Sequence, residues 1–389
     1  MPADVIVLGL GGMGSAAACH LARRGLRVLG LERYTAPHDR GASHGRTRVI
    51  RQSYYEDPAY VPLLLRAYEL WRELARETGV DLLHEVGGLM MGEPSSAVVT
   101  GSLRSARLYG LPHEELTAAD IRRRFPAFQP PPGTVALFER AAGFVRTEAS
   151  VQAHLDRAAA HGADLHFEEA ALAWEETPWG VRVRTARGTY EAERLVVCPG
   201  PWAPTVLAGL GVPLEVERQV LYWFDPVGGV DPFRLGHFPI FIWETPDGAS
   251  PYGFPAIDGP NGGVKVAFYR APEVEPCDPD SVDRVLRPRE IALMRQAIEP
   301  LLPALRGPLL QGVTCLYTNT PDKHFVIAPH PASPRVTVAC GFSGHGFKFC
   351  SVVGEILAEL VVDGRSRLDI GLFSPSRFTS GGAAAKPAP

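Results

Sequence analysis

The feature that most constrains the fold of this chain is a glycine fingerprint near its N-terminus. An apolar strand pattern at residues 4–8 runs into Gly9, Gly11 and Gly14, a helical pattern follows to about residue 24, and a second apolar run ends at Glu32. In a turn of this kind the first glycine allows a tight bend, the second lets the backbone approach a pyrophosphate, and the third lets helix and strand pack closely. The sequence therefore predicts a βαβ unit that binds a dinucleotide.

The fingerprint alone does not distinguish NAD from FAD. Glu32 stands at the spacing expected for an acid that binds ribose hydroxyls. A second α/β pattern near the C-terminus, and Gly200 after a strand pattern at 194–198, favour a long FAD bound across the domain.

Composition excludes several classes of function. The net charge is −4 and no basic run exceeds Arg122, Arg123 and Arg124, so nucleic acid is not an expected partner. No apolar stretch is long enough to span a bilayer, and the N-terminus does not resemble a secretory signal. The six cysteines contain no C-x-x-C pair, which favours reduced thiols in a cytoplasmic protein and no metal site.

The order of patterns along the 389 residues predicts an α/β fold, α+β overall, with two interleaved domains. A Rossmann-like nucleotide-binding domain would contain residues 1–80, 146–214 and 316–378. A substrate domain with a mostly antiparallel sheet would contain residues 81–145, read as mixed and turn-rich apart from a short helix near 118–124, and 215–315. Residues 379–389 are expected to be a disordered tail.

A cysteine and a glycine-rich loop define the C-terminal part of the sequence. Cys315 lies on an apolar segment, and the octapeptide Gly-Phe-Ser-Gly-His-Gly-Phe-Lys ends at Lys348 and opens a helical pattern. Backbone N–H groups at such a helix start stabilise negative charge on a bound group. No Gly-Lys-Ser/Thr follows, which argues against an unrelated phosphate loop.

Together with Ser43-His44-Gly45, Thr47-Arg48 and Arg51, these segments resemble the monomeric sarcosine oxidase and N-methyltryptophan oxidase family. These are covalent-FAD amine oxidases of the D-amino-acid oxidase superfamily. The resemblance implies that FAD is attached covalently through Cys315. It implies the following cofactor-binding residues: Gly9, Gly11, Gly12, Met13, Gly14, Glu32, Arg33, Ser43, His44, Thr47, Arg48, Gly200, Cys315, Gly344, Gly346, Phe347 and Lys348.

The resemblance also implies the residues that act on the substrate. Lys265, Arg48 and His44 would be catalytic, with Lys265 promoting the reaction of reduced flavin with oxygen. Arg51 and Lys348 would bind the substrate carboxylate, and the remaining substrate-binding candidates are Tyr54, Tyr269 and Tyr317. His345 is assigned no catalytic role.

Each of these assignments also has a purely structural alternative. Residues 40–51 are also compatible with a solvated basic loop, Cys315 with an inert buried thiol, and Lys265 with an outward-pointing residue of an alternating strand. Lysine is scarce, however: Lys265, Lys323, Lys348 and Lys386 are the only four among 39 basic residues. A lysine on an apolar strand is costly to bury without a role or a partner.

The implied activity is the oxidation of a small secondary amino acid such as sarcosine, which yields glycine, formaldehyde and hydrogen peroxide, by a monomeric enzyme. Two departures from the family pattern keep the substrate open: Arg46 replaces an acid, and Tyr269 replaces a histidine of sarcosine oxidases. The alternatives are N-methyltryptophan, pipecolate or L-proline as substrate, and an FAD dehydrogenase that uses another electron acceptor. A dinucleotide-binding sensor without turnover is disfavoured, because it needs neither a carboxylate clamp nor a cation for oxygen.

Overall fold

The computed structural model describes residues 3–378. The strands of this part are β1 (Ala3–Leu8), β2 (Val28–Leu31), β3 (Thr47–Ile50), β4 (Leu83–Glu85), β5 (Gly88–Gly92), β6 (Glu114–Thr117), β7 (Val135–Glu139), β8 (Gly143–Arg146), β9 (Asp164–His166), β10 (Ala171–Thr177), β11 (Gly180–Thr185), β12 (Thr189–Val197), β13 (Glu215–Phe224), β14 (Ile240–Trp243), β15 (Ser250–Gly253), β16 (Val264–Arg270), β17 (Glu275–Pro276), β18 (Leu309–Asn319), β19 (Val326–His330) and β20 (Ser333–Cys340).

The α-helices of the same residues are α1 (Gly12–Arg23), α2 (Val61–Thr78), α3 (Ala97–Tyr109), α4 (Ala118–Arg124), α5 (Thr147–Ala160), α6 (Ala203–Val206), α7 (Pro288–Ile298) and α8 (Cys350–Val362). The tail expected to be disordered, residues 379–389, lies outside the described residues.

The first sheet contains the fingerprint strand at its centre. Its main order is β10-β11-β12-β1-β2-β9, and β20 pairs with β12 and β19. β1 runs parallel to β2 and β12, with Ile6 opposite both Leu29 and Leu195. β2, the last four residues of β1 and the last three residues of β12 are buried, because parallel strands are covered on both faces. Their carboxyl ends meet at one edge, where Gly9, Glu32 and Gly200 follow.

Helices α1 and α8 pack on this sheet and fix the fingerprint turn. α1 packs against α5 and α8, and α2 packs against α8. Four of the twelve residues of α1 are buried alanines, whose small side chains let the neighbouring helices approach closely. The loop that precedes α8 is thereby held beside the start of α1.

The second sheet is mostly antiparallel, with the main order β17-β13-β16-β15-β14-β5-β7-β6; its single parallel pair joins β14 to β5. β18 pairs with β13 along almost its whole length and sets Cys315 opposite Gln219. β16 pairs with the same strand and sets Lys265 opposite Trp223. The predicted fold, a Rossmann-like α/β part and a part with a mostly antiparallel sheet, is therefore confirmed.

A small third sheet, β3-β8-β4, carries the segment that follows the second strand of the fingerprint. Its strands come from both sets of residues that the sequence assigned to separate domains. The expected boundary at residues 315 and 316 also falls inside β18. The division into two domains therefore stays a prediction.

One helix was missed by the sequence reading. Residues 97–109 lie in the part read as turn-rich, yet they form α3, capped by the Ser96 hydroxyl, which accepts from the Val99 N–H, and ended by Gly110. Its buried face includes Ser102, Ser105 and Ala106, so the apolar stripe that normally reveals a helix is weak.

Candidate functional site

The carboxyl edge of the first sheet borders a cavity of about 370 Å³. Its walls include six of the residues proposed for the cofactor: Gly9, Gly11, Glu32, Arg33, Ser43 and Gly200. The Glu32 carboxylate is held in place because it accepts hydrogen bonds from the N–H groups of Leu10, at 2.7 Å, and Tyr34, at 3.1 Å. The cavity is bordered by Gly11 at the start of α1, and the start of a helix is where phosphate groups bind well.

Two glycines of the fingerprint are required by close contact. A Cβ on Gly14 would lie 1.7 Å from the carbonyl oxygen of Gly9, and a Cβ on Gly9 would lie 2.3 Å from the carbonyl oxygen of Cys198. Gly9 also has a φ of +81°, which disfavours any residue with a side chain. Turn, helix and strand are therefore in backbone contact, as a dinucleotide fold demands.

A second cavity, of about 120 Å³, continues from the first and shares Gly11, Ser43 and Gly200 with it. It lies between the start of α1 and the glycine-rich loop before α8. The remaining candidates on its wall are Gly12, Met13, Arg48, Tyr317, Gly344, Gly346 and Phe347. The loop bends at Gly344, whose φ is +79° and whose Cβ would lie 2.6 Å from the Tyr317 ring.

A third and smaller cavity, of about 50 Å³, shares Arg48, Gly344 and Phe347 with the second. Its wall combines cations with aromatic rings. The cations are Arg48, Arg51 and Lys348, and the rings are those of Tyr55, Tyr252 and Tyr269. The three cavities form a series with shared wall residues, in which a cationic, aromatic pocket follows the two cavities beside the fingerprint.

Arg51 is the most constrained cation of the third cavity. Its guanidinium lies over the rings of Tyr54, at 4.2 Å, and Tyr55, at 4.4 Å, and its Nη2 donates to both carboxylate oxygens of Glu56. Its Nε and Nη1 are buried and have no hydrogen-bond partner. Burial disfavours the charge, but the nearby Glu56 carboxylate outweighs it and raises the pKa of Arg51 further above its usual value. The geometry therefore offers two N–H donors in a fixed cationic plane, which is the arrangement that binds a carboxylate well.

Lys348 provides a second cation beside Arg51. Its Nζ donates to the carbonyl oxygen of His345, at 2.6 Å, and to the Tyr54 hydroxyl, at 3.4 Å. Burial, and then the charge of Arg51, lower the pKa of Lys348 to about 7, against the opposing attraction of Glu56. An anion in the cavity would favour its charged form.

Cys315 differs from the other five cysteines, all of which lie in the described part of the chain. Burial raises the pKa of a thiol there, but the attraction of His44 and Arg48 for a thiolate outweighs it and lowers the pKa of Cys315 to about 6. Arg48 Nη2 lies 3.4 Å from the sulfur. Burial raises the pKa of the thiols of Cys19, Cys198, Cys277, Cys340 and Cys350. Cys315 alone would be a nucleophilic thiolate at neutral pH.

Lys265 is buried under the loop that joins β2 to β3. Its Nζ donates to the carbonyl oxygens of Gly45, at 2.6 Å, and Thr47, at 2.8 Å, and to the Thr47 hydroxyl, at 3.2 Å. Burial, and then the charge of Arg48, lower the pKa of Lys265 well below its usual value. The side chain is not an outward-pointing lysine, so that alternative is excluded.

Most of the predicted residues border one of the three cavities, but six do not: Gly14, His44, Thr47, Tyr54, Lys265 and Cys315. Tyr54 lies behind Arg51 and Lys348, and its neighbour Tyr55 lines the third cavity in its place. Tyr317 borders the second cavity, whereas Tyr269 borders the third. Direct contact of Tyr54 with a substrate is therefore not what this arrangement favours.

The sequence reasoning missed several residues of the site. Glu56 pairs with Arg51, and Tyr55 and Tyr252 line the third cavity. Glu139 is buried and accepts hydrogen bonds of 2.7 Å from the N–H groups of Gln52 and Ser53, directly after Arg51. Tyr55 and Glu56 lie only four and five residues after Arg51, and this proximity could have identified them as its partners. Nothing in the sequence connects Glu139 to this turn.

The unusual Arg46 does not point into the cavities. Its guanidinium pairs with Asp258 at 2.6 Å, donates to Gln311 and lies over the Trp223 ring. Its backbone N–H, with that of Gly45, donates to the Glu148 carboxylate. Arg46 therefore joins the loop to β18, and Glu148 supplies the local negative charge.

Residues 3–378 contain neither a membrane-spanning helix nor a cluster of three or more side chains that could bind a metal ion. No helix there combines the length and the apolar character needed to cross a membrane. No group of three or more His, Cys, Asp or Glu side chains there could hold a metal ion.

Comparison with known proteins agrees with this geometry. Residues 4–360 match the family model DAO, described as FAD dependent oxidoreductase. The chain is 56% identical to a monomeric sarcosine oxidase of Streptomyces avermitilis over 97% of this chain and 98% of the relative. It is 35% identical to an N-methyl-L-tryptophan oxidase of Yersinia pestis, over 97% and 100% respectively.

Among solved structures, the amino acid oxidase NikD, in its open form, covers 96% of this chain and 97% of its own at 26% identity and a TM-score of 0.82. The fingerprint, the series of cavities and these similarities lead to one conclusion. The chain belongs to the DAO family of FAD-dependent oxidoreductases, within the group that contains the monomeric sarcosine oxidases and the N-methyl-L-tryptophan oxidases.

Proposed function

We propose that this protein is a flavin-dependent oxidase of small secondary amino acids, with sarcosine as the preferred substrate. The observation that carries the proposal is the third cavity, where Arg51 and Lys348 lie next to the wall shared with the second cavity. A carboxylate held by these two cations would bring the rest of a small amino acid close to that shared wall.

The size of the third cavity supports a small substrate. Its volume of about 50 Å³ corresponds to a few water-sized groups. Sarcosine needs far less room there than a substrate with an indole side chain, which would require Tyr55, Tyr252 or Tyr269 to move. Burial raises the pKa of all three phenols, so they stay neutral and present apolar faces with a polar tip to the substrate amine.

The residues around the first two cavities fit FAD. The close contacts at Gly9 and Gly14, the Glu32 carboxylate and the start of α1 suit the ADP part, and the loop at Gly344 and Gly346 suits the flavin ring. FAD, when bound, supplies the two-electron oxidant that no protein side chain provides. The backbone N–H groups of the loop favour negative charge at the ring.

We further propose that Cys315 carries the flavin covalently, through a C–S bond that would replace one C–H bond of the 8-methyl group, with oxygen taking up the two electrons and two protons as hydrogen peroxide. Its lowered pKa, to about 6, makes it the one thiolate among the cysteines at neutral pH. His44 and Arg48 would act on the thiol, because both lower its pKa.

The proposed role of Lys265 is electrostatic. Three oxygen acceptors fix its Nζ in a buried position close to Arg48 and Cys315. Burial lowers the pKa of Lys265, but the three acceptors favour its ammonium form, and an ammonium fixed there would stabilise negative charge that develops on oxygen as it is reduced.

In the overall reaction, sarcosine, oxygen and water yield glycine, formaldehyde and hydrogen peroxide. No strong base is required, because the amine reacts in its neutral form. The cations of the clamp, Arg51 and Lys348, favour a neutral amine over a positively charged one. That the protein is a cytoplasmic monomer stays a prediction, which cell fractionation and light scattering test.

The test is to mix the purified yellow protein with sarcosine without air, and then admit oxygen. We expect the visible absorbance to bleach and then to return with one equivalent of peroxide. N-methyltryptophan, pipecolate and L-proline form the comparison panel. Faster bleaching by any of these would reject sarcosine, bleaching without peroxide would indicate a dehydrogenase, and no bleaching by the whole panel would reject the proposed function.

A further inference from the structure

His345, in the glycine-rich loop, belongs to a chain of buried hydrogen bonds that ends at Lys348. Its Nε2 lies 2.9 Å from the carbonyl oxygen of Lys323, and its Nδ1 lies 2.6 Å from the Tyr54 hydroxyl. The Lys348 Nζ in turn lies 3.4 Å from the same hydroxyl oxygen. The imidazole is packed against the ring of Phe325, at 4.6 Å, and is buried.

The direction of each hydrogen bond follows from the acceptors. A carbonyl oxygen only accepts, so Nε2 of His345 must carry the proton that points to Lys323. Burial lowers the pKa of His345 to about 3, so Nδ1 is unprotonated and accepts from the Tyr54 hydroxyl. Tyr54 then uses its only proton on His345, and its oxygen is left to accept from Lys348.

This chain favours the ammonium form of Lys348. The Nζ has two protein acceptors, the His345 carbonyl and the Tyr54 oxygen, and both hydrogen bonds are made to the charged form. Were the Tyr54 proton not committed to His345, it would turn toward other acceptors or toward Lys348 itself. His345 therefore acts on Lys348 twice, directly through its backbone and indirectly through its ring.

We propose that His345 and Tyr54 are positioning residues of the carboxylate clamp: the imidazole, held in one tautomer by the Lys323 carbonyl, orients the Tyr54 hydroxyl so that it accepts from the Lys348 ammonium. The inference rests on the proposed function, because it presumes that Lys348 binds the substrate carboxylate.

The pH dependence of the clamp should report Lys348. Each group that faces Lys348 has a pKa displaced by its surroundings. Burial raises the pKa of Tyr54 and Cys350 and lowers that of His345. For Arg51, Arg48 and Glu56, attraction to neighbouring charges outweighs burial, so the pKa of each arginine is raised and that of Glu56 is lowered. Lys348, with a pKa of about 7, is the member of this set that titrates near neutrality. Anion binding should be strong below this pKa and weaken as pH rises through it.

The experiment uses the holoenzyme and acetate, which has a carboxylate but no amine and is not oxidised. The dissociation constant of acetate is measured from pH 5.5 to 9 by the change in visible flavin absorbance. The variants are Tyr54→Phe, His345→Leu, His345→Gln and Lys348→Met. Tyr54→Phe removes one hydroxyl from a ring whose packing stays, so it remains informative if His345→Leu fails to fold.

We expect the pH at which acetate binding weakens to fall by about one unit in Tyr54→Phe, because one hydrogen bond to the ammonium is lost. This corresponds to weaker binding by up to about tenfold at pH 8 and little change at pH 5.5. His345→Leu should shift in the same direction, and His345→Gln, whose amide can donate to Lys323 and accept from Tyr54, should stay close to the wild-type curve.

Coincident curves for the wild type, Tyr54→Phe and His345→Leu would overturn the inference and leave the clamp intact. If the wild-type curve does not change with pH and Lys348→Met binds acetate equally well, Lys348 is not part of a clamp, and the proposed function loses its main support.

Discussion

The lowered pKa of Cys315 gives the most direct quantitative prediction. The change is His44→Asn, which removes the first of three groups that stabilise the thiolate, the others being Arg48 and the backbone N–H of Leu316. The fall from the ordinary value of 9.0 to about 6 corresponds to about 4 kcal/mol in favour of the thiolate. At pH 7 such a thiol is about 90% ionised, whereas an unperturbed one is about 1% ionised.

Covalent attachment should follow this ionised fraction, because the thiolate is the nucleophile. With His44 gone, burial and Arg48 remain, and we expect the pKa of Cys315 to rise back toward 9. At pH 7 attachment should then slow by between severalfold and about ninetyfold. At pH 9 the difference between variant and wild type should largely disappear.

The assay is to mix flavin-free protein with FAD at several pH values, precipitate samples with acid over time, and measure the flavin retained in the pellet. Noncovalent binding is measured separately by the quenching of flavin fluorescence. Cys315→Ala should retain no flavin, and Cys340→Ala, which removes a buried thiol with a raised pKa, is the matched control. The reasoning is refuted if His44→Asn slows attachment equally at pH 7 and pH 9, or if Cys315→Ala still retains flavin.

Three other substitutions test separate parts of the site. Lys265→Met should slow the reoxidation of reduced enzyme by oxygen by about 10²-fold or more, with a much smaller effect on anaerobic reduction by sarcosine, as measured by stopped flow; equal effects on both steps would remove its proposed role. Glu139→Gln leaves one of two buried N–H groups without an acceptor, at a cost of about 1–3 kcal/mol, and should raise KM for sarcosine more than it lowers kcat. Glu359→Gln, at an equally buried carboxylate that accepts from the Arg367 N–H, should reduce stability alone, and a similar rise in KM there would contradict the argument. Gly344→Ala and Gly364→Ala both place a side chain at a φ of more than +70°, but only the first meets the Tyr317 ring, so only the first should lose bound flavin, judged by the ratio of visible to ultraviolet absorbance.

The fold was largely predictable because its strongest signals are local. The fingerprint strand, its turn and α1 are adjacent in sequence, and their requirements for glycine and for apolar residues are strict. α3 was not predictable in the same way, since serines occupy part of its buried face and tertiary contacts rather than periodicity stabilise it.

Candidate site residues could be predicted where they lie in a sequence motif of the family, but not where they are brought to the site by long-range contacts. Arg51, Lys348 and Cys315 were selected through their neighbours in sequence. Glu139 approaches the turn after Arg51 from β7, and the link between His345 and Lys348 passes through Tyr54, far away in the chain. Such partners follow from the packing of separate sheets, which no local pattern encodes.

The pairing of β18 with β13 has a consequence for the maturation of the protein. Cys315 reaches His44 and Arg48 only after β18 has found its partner strand and the loop before β3 has docked on it. In an unfolded or partly assembled chain its thiol would be as unreactive as that of any other cysteine. If Cys315 attaches the flavin as proposed, covalent attachment would occur only in correctly assembled chains. Chains that misfold would remain without covalently bound flavin.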